Sequence, residues 1–117
     1  MAKTLFIDID GTVLKHHGEG GLNQIYSVPA VLLDGVLEKF EQWKYDECRI
    51  ILTTARPESM RDITEHQLRG HKLFWDDLIM GLPRGPRVVI NDTKDDGTIT
   101  AFGVPVVRNA GLRGLDA

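Results

Sequence analysis

The chain has 117 residues and a mass of 13.1 kDa, which is the size of a single domain with one continuous core. Its net charge of -3 gives no electrostatic case for a nucleic-acid or membrane surface. The single cysteine, Cys48, excludes an internal disulfide and a cysteine-based zinc cluster. No apolar stretch approaches the roughly 20 residues that cross a bilayer, and carboxylates interrupt the apolar start of the chain. We therefore expect one domain over residues 1–117, in the cytoplasm.

The first predicted element is a short buried strand over residues 5–8, which runs into the sequence DIDGT. In an extended chain Asp8 and Asp10 project to the same side, whereas Ile9 faces the opposite side. Two carboxylates held so close repel each other unless a cation lies between them or one keeps its proton. The sequence therefore raises the question of what offsets this repulsion.

Residues 11–29 contain four glycines and two adjacent histidines without a sustained period, which predicts an irregular excursion with room for a hairpin. His16 and His17 are interpreted as exposed loop residues rather than metal ligands, because adjacent side chains of an extended chain point apart.

The rest of the chain alternates between helical and strand-like patterns. Apolar residues at helical spacing predict an amphipathic helix that ends near Asp46, and Pro57 suits the start of a second helix that Gly70 ends. Apolar runs predict four further strands, at residues 49–52, 75–80, 87–92 and 104–107. Alternation of this kind predicts an α/β fold, with a mostly parallel sheet covered by helices on both faces in three layers.

Polar residues follow three of these strands. Asp8 and Asp10 follow the first strand, Thr53 and Thr54 follow the second, and residues 91–92 end the strand at 87–92. In parallel sheets the ligand crevice lies outside the carboxyl ends of the strands, so these side chains are expected to meet there.

The sequence resembles the haloacid dehalogenase (HAD) superfamily of phosphohydrolases. DIDGT matches the first motif of that family, IILTTAR resembles the second, and VVINDTKDD resembles the fourth. The resemblance runs from residue 5 to about residue 108 and implies a Rossmann-like domain. Because residues 11–29 are too few for a folded cap, the chain resembles the small capless members.

The resemblance implies that Asp8 is the nucleophile that forms an aspartyl-phosphate and that Asp10 is the general acid and base. The implied cofactor is Mg²⁺, held by Asp8, the backbone carbonyl of Asp10 and Asp92. Asp96 has the spacing of a residue that orients a metal-bound water. Asn91 stands where the family often has a further acid.

Further roles follow from the same resemblance. Thr54 is implied as the phosphate-binding hydroxyl, with Thr53 as the alternative, and Gly11 lets backbone N–H groups approach the phosphate. Arg56 is expected to contact substrate or to pair with a carboxylate. The third motif lacks its usual lysine near the strand, so the candidates for its role are, in order of preference, Arg84, Arg87 and Lys72.

The resemblance thus implies a Mg²⁺-dependent phosphomonoester hydrolase acting on a sugar phosphate or another phosphorylated metabolite. An open, capless site can admit a phosphate on a larger partner or be closed by a neighbouring subunit of a homo-oligomer. Two alternatives remain: a phosphatase for nucleic-acid ends, which the lack of a basic stripe disfavours, and a noncatalytic module that binds phosphate or a protein partner.

Overall fold

A computed structural model describes residues 2–117. It contains a parallel sheet of three strands, β1 (Thr4–Asp8), β2 (Arg49–Thr53) and β3 (Asp77–Ile79), in the order β1-β2-β3. The helices are α1 (Asn23–Ser27), α2 (Val36–Tyr45) and α3 (Arg61–Gly70), and a 3-10 turn at Glu58–Met60 leads into α3. The α/β class predicted from the sequence is confirmed, as are the helices that end near Asp46 and at Gly70.

One face of the sheet carries the core. Ile7 of β1, Leu52 of β2 and Leu78 of β3 lie side by side in register and are all buried. They pack in one cluster with Phe40 of α2 and Leu68 of α3. Aromatic packing reinforces this cluster, because the Phe40 ring lies 5.5 Å from the ring of Trp43 and 5.9 Å from that of Phe74.

The opposite face of the sheet is only partly covered in the described part of the chain, where Ile51 is half-buried and Thr53 is buried. Phe6 and Ile79 point to this face, because their neighbours in sequence, Ile7 and Leu78, point into the core. Phe6 is 59% exposed and Ile79 is 39% exposed. Parallel sheets are ordinarily buried on both faces, so the expected three-layer arrangement is not seen in residues 2–117.

The strands predicted at residues 87–92 and 104–107 are wrong for this structure. Both segments lie outside regular secondary structure and join no sheet. Residues 87–108 instead form an extended projection, which we call the arm. It closes at a turn in which the Gly97 N–H donates to the Lys94 carbonyl at 2.8 Å and the Lys94 N–H donates to the Thr98 carbonyl at 3.0 Å. An apolar run reports only a tendency to be extended, and the pairing that would make a strand depends on a neighbour.

The excursion after β1 closes at its base like a hairpin. Lys15 donates its N–H to the Val31 carbonyl at 2.8 Å, and Leu33 donates to the Val13 carbonyl at 3.0 Å. Between these contacts lie a 3-10 turn at Gly18–Gly20 and helix α1. None of the helices in residues 2–117 combines the length and apolar character needed to cross a membrane.

Candidate functional site

The turn after β1 presents the first acidic pair. The Ile9 side chain is fully buried, and its carbonyl accepts N–H groups from Thr12, Val13 and Leu14 at 2.9–3.2 Å. Gly11 adopts a φ of 91°, a conformation that L side chains rarely take. A Cβ at Gly11 would also lie 3.1 Å from Cγ of Arg108. The glycine of DIDGT is therefore required by the turn itself.

Asp8 is the exposed member of the acidic pair. Its carboxylate is 39% exposed at the end of β1 and lies 3.6 Å from a guanidinium nitrogen of Arg87. The Thr12 hydroxyl donates to its Oδ2 at 3.3 Å. Burial raises the pKa of Asp8 above its ordinary value, while Arg87 lowers it and the nearby charge of Asp10 raises it further.

Asp10 is held by a buried arginine. Arg56 donates through Nε to Oδ2 of Asp10 at 2.9 Å and through Nη2 to Oδ1 at 2.7 Å. The side chains of Arg56 and Asp10 are only 3% and 12% exposed. The remaining donor, Nη1, reaches the Thr64 hydroxyl at 3.0 Å and the Gln67 side-chain carbonyl at 2.8 Å. Of the two alternatives for Arg56, contact with substrate or pairing with a carboxylate, the structure shows the pairing, and a contact with substrate stays a prediction.

The two threonines at the end of β2 have different surroundings. Thr53 is buried and donates its hydroxyl to the Ile7 carbonyl at 3.5 Å. Thr54 is 1% exposed, and its hydroxyl oxygen accepts the backbone N–H of Arg56 at 3.0 Å. The Thr54 hydroxyl helps to fix the backbone of Arg56 and still has its own proton to donate.

The three candidates for the third-motif role lie in different places. Arg84 and Arg87 are both exposed, but Arg87 is the one that forms an ion pair with Asp8, so the structure brings the second choice rather than the first to the nucleophile candidate. Lys72 follows the C-terminal end of α3. Because that helix returns from the carboxyl end of β2 to the start of β3, Lys72 lies at the opposite edge of the sheet from Asp8.

Asp92 and Asp96 are exposed on the arm rather than gathered at the strand ends. The Asp92 carbonyl accepts the Thr100 hydroxyl, and Oδ1 of Asp96 accepts both the backbone N–H and the hydroxyl of Thr98. Within residues 2–117 no group of three or more histidine, cysteine or acidic side chains is placed to hold a metal ion. The expectation that these two residues join Asp8 and Asp10 in one acidic cluster is wrong for this structure.

A cleft of about 230 Å³ opens beside Asp10 and Arg56. Its wall includes Lys15, His16 and His17, together with apolar side chains from α1 and the segment after it, among them Ile25, Val28, Pro29 and Val31. The two imidazole rings stack with centroids 4.3 Å apart, which corrects the expectation that they point apart, because the chain here is turned rather than extended. Burial and the nearby positive groups lower the pKa of His16.

Several contacts at this site join residues that are distant in the sequence, and sequence reasoning missed them. The Asn109 N–H donates to the Gly11 carbonyl at 2.8 Å, and its side-chain oxygen accepts the His16 N–H at 2.7 Å. Thr64 and Gln67 hold Arg56 from α3. Only the spacing of 64 and 67, one turn apart on a predicted helix, gave a signal that they share a face.

Comparison with known proteins supports the fold alone. The chain is similar to a structural-genomics target from Vibrio cholerae solved by crystallography, with a TM-score of 0.54 and 18% identity over 92% of this chain and 85% of that one. No family model matches the sequence, and no curated protein matches it. The HAD resemblance therefore stays a prediction based on its motifs.

Proposed function

We propose that the protein is a phosphomonoester hydrolase in which Asp8 is the nucleophile. The observation that carries the proposal is the contrast between the two carboxylates of DIDGT. Asp8 is accessible at a strand end beside the cationic Arg87, whereas Asp10 is fixed by a buried guanidinium. An accessible carboxylate next to a positive charge suits attack on an anionic phosphoryl group.

In the proposed reaction an oxygen of Asp8 attacks phosphorus, and the bond from phosphorus to the leaving oxygen breaks. Asp10 gives a proton to that oxygen and later takes one from the water that cleaves the aspartyl-phosphate. Both oxygens of Asp10 accept hydrogen bonds from Arg56, so one of these bonds must open for the proton to move. Arg87 provides positive charge for the phosphoryl oxygens, and the Thr54 hydroxyl provides a donor.

Mg²⁺ belongs to the proposal as a counterion to the acidic pair. Magnesium in phosphate sites commonly uses one or two protein carboxylates, with water and substrate phosphate completing its shell. Asp8 and the backbone carbonyl of Asp10 fit that minimal set. When bound, the ion would polarise the phosphoryl group and offset the repulsion between Asp8 and Asp10.

The cleft beside Asp10 is where we place the leaving group of the substrate, and its size favours a small one. Its volume of about 230 Å³ lies below the roughly 300–1,000 Å³ of typical ligand pockets, so it suits only a small group, and its wall combines basic and apolar side chains. The proposed substrate class is therefore a phosphorylated metabolite, such as a sugar phosphate, whose non-phosphate part lies against residues 24–31. Competition between sugar phosphates and 5′-phosphorylated oligonucleotides distinguishes this class from nucleic-acid ends.

The test is hydrolysis of an aryl phosphate, measured with and without Mg²⁺, by the natural chain and by Asp8→Asn. Asp95→Asn is the matched control, because it makes the same chemical change at an exposed position on the arm. We expect Asp8→Asn to abolish turnover and Asp95→Asn to retain it. Equal rates for Asp8→Asn and the natural chain would remove the proposed nucleophile.

A noncatalytic phosphate-binding module is the second candidate, and one observation favours it. Both Asp10 oxygens are already bonded to Arg56, and the described residues gather no acidic trio for a metal. Beryllofluoride, which mimics a phosphoryl group on a carboxylate, discriminates between the two readings when combined with the turnover assay. An adduct on Asp8 without turnover supports the binding module, and an adduct with turnover supports the hydrolase.

A further inference from the structure

The arm exposes an unusual concentration of apolar side chains. Seven of the thirteen large apolar side chains that are exposed in the described structure belong to residues 87–108, and each is at least 53% exposed: Val88, Val89, Ile90, Ile99, Phe102, Val104 and Val107. Ile90 is 93% exposed. Large exposed apolar side chains concentrated in one segment are typical of an interaction site.

The arm also lacks a backbone ladder of its own. Its two sides are joined near the tip by the Lys94 to Thr98 bond and by the Asn91 amide, which donates to the Thr100 hydroxyl at 2.6 Å. Neither side forms a strand, although both carry runs of β-branched residues. The arm therefore offers strand-like backbone together with apolar side chains.

Both ends of the arm are fixed to the body at the carboxyl edge of the sheet. Arg87 lies beside Asp8, and Asn109, directly after the arm, bonds to the Gly11 carbonyl. Its tip projects away, and the molecule measures 51 × 29 × 24 Å along its principal axes. The arm thus does not pack on the exposed sheet face of its own chain, although its apolar side chains are of the type that would pack on such a face.

We propose that the occupant of the exposed sheet face is the arm of a second copy of this chain. In a two-fold symmetric dimer each copy places its arm on the sheet face of the other copy. Both arms and both sheet faces are then covered, and no surface is left for a third copy. Another partner would have to cover the arm and the sheet face separately. The apolar side of the arm would pack on Phe6, Ile51 and Ile79, which completes the second layer that a parallel sheet ordinarily has.

Charge complementarity fixes the direction of the arm on the second copy. The tip carries Asp92, Asp95 and Asp96 against one lysine, Lys94. The basic residues Lys3 and Arg49 stand at the amino ends of β1 and β2, where the Arg49 N–H bonds the Lys3 carbonyl. The exposed acids Asp76 and Asp77 stand at the amino end of β3, so the acidic tip is expected over β1 and β2 and away from β3. If the tip of an arm lies at the amino end of the partner's strands, the base of that arm lies near their carboxyl end. The candidate functional sites of the two copies would then face each other across the two-fold axis of the pair.

The available area suits a stable pair. Successive side chains of an extended arm face opposite sides, so about half of the seven can pack on the partner, at on the order of 100 Å² each. Together with the exposed side chains of its own sheet face, Phe6 and Ile79, each copy would bury roughly 500 Å² of apolar surface, more than half of the ~800 Å² per partner of a standard interface. The inference does not depend on the proposed activity, because it concerns a surface and not the chemistry at Asp8.

The first test is the molar mass in solution, by light scattering and sedimentation over a range of concentrations. We expect a dimer for the natural chain, and a dissociation constant raised roughly tenfold or more by Ile90→Asp and by Phe6→Asp. Tyr45→Asp is the matched control, because Tyr45 is 85% exposed at the end of α2 and outside both surfaces. A monomeric natural chain, or an unchanged dimer in Ile90→Asp, would overturn the proposal.

The second test locates the contact without relying on destabilising variants. In a Cys48→Ser background, Phe6→Cys and Ile90→Cys chains are prepared separately, mixed, and treated with a short bifunctional thiol crosslinker. We expect covalent pairs that join position 6 of one chain to position 90 of the other. Crosslinks between two copies of position 90 alone would show arms packed on each other, and would overturn the docking on the sheet face.

Discussion

Asp10 and Arg56 form a two-point ion pair that joins the turn after β1 to the segment after β2. Both carboxylate oxygens accept guanidinium N–H groups, at 2.7 and 2.9 Å, and both side chains are almost fully buried. The pair also bonds to α3 through Thr64 and Gln67. One buried arginine thus fixes the relative positions of the two segments that carry Asp8 and Thr54.

Removing the guanidinium should strongly destabilise the fold. Arg56→Met keeps much of the volume but leaves the Asp10 carboxylate unpaired, and breaking a buried pair in this way costs about 3–5 kcal/mol. Arg69→Met is the control, because Arg69 pairs with Glu65 at 2.9 Å but is 66% exposed, and its loss should cost less than about 1 kcal/mol. Urea unfolding of the two variants measures both losses. Equal losses would contradict the structural role given to Arg56.

Thr64 should contribute through its hydroxyl group and not through its volume. Its side chain is fully buried, and Thr64→Val removes an acceptor from Nη1 of Arg56 at nearly constant size. We expect a loss of about 1 kcal/mol in unfolding free energy, and little loss in Thr64→Ser, which keeps the hydroxyl. In an Arg56→Met background Thr64→Val should cost clearly less, because the bond is already absent. Additive losses in this double-mutant cycle would rule out the coupling.

Two glycines with similar φ angles allow the cost of backbone strain to be measured apart from the cost of a steric clash. Gly97 at the arm tip has a φ of 85° and open space around it, whereas Gly111 has a φ of 87° and its added Cβ would collide with the backbone of Asp34. Gly97→Ala should cost about 1–2 kcal/mol from backbone strain alone. Gly111→Ala should cost more by about 1–3 kcal/mol from overpacking. Thermal or urea unfolding of both variants measures the difference, and equal costs would exclude the clash.

Asp8 should make stability depend on pH in the direction opposite to that of an ordinary paired carboxylate. Because its pKa is raised in the folded state, the folded chain holds this proton more tightly than the unfolded chain. The resulting stabilisation is fully present below the ordinary value of 3.8 and is lost as pH rises through the raised pKa. Asp8→Asn should therefore be more stable than the natural chain at neutral pH, and the difference should shrink as pH falls through the raised pKa and stay constant below 3.8.

The stability contribution of Asp96 should change with pH in the direction opposite to that of Asp8. Hydrogen bonds from Thr98 lower its pKa, so its stabilisation is present above 3.8 and is lost as pH falls through the lowered pKa. Asp96→Asn should be less stable than the natural chain at neutral pH. Urea unfolding of both variants across this pH range checks the two signs, and the same sign for both variants would refute the assignment.

The local pattern of the sequence was enough to predict the three strands and the two longer helices of the body, whereas helix α1 lies in a stretch that was predicted to be irregular. Apolar residues at helical spacing indicated the helix observed at Val36–Tyr45, and short apolar runs indicated the strands observed at Arg49–Thr53 and Asp77–Ile79. These signals lie within a few residues of each other, so they can be read without knowing what the element packs against. The acidic pair and the glycine turn of DIDGT were likewise visible from their spacing.

Tertiary structure decided which of these elements meet. The sequence at 87–92 is typical of a strand, yet it belongs to an arm that pairs with none of the strands in residues 2–117. Arg87 rather than Arg84 reaches Asp8, and Arg56 reaches Asp10 across 46 residues of sequence. The spacing of apolar residues indicates whether a segment is helical or extended and which side of it is buried. Strand pairing and ion pairs depend instead on distances between remote segments. Those distances are set only when the chain folds around its core.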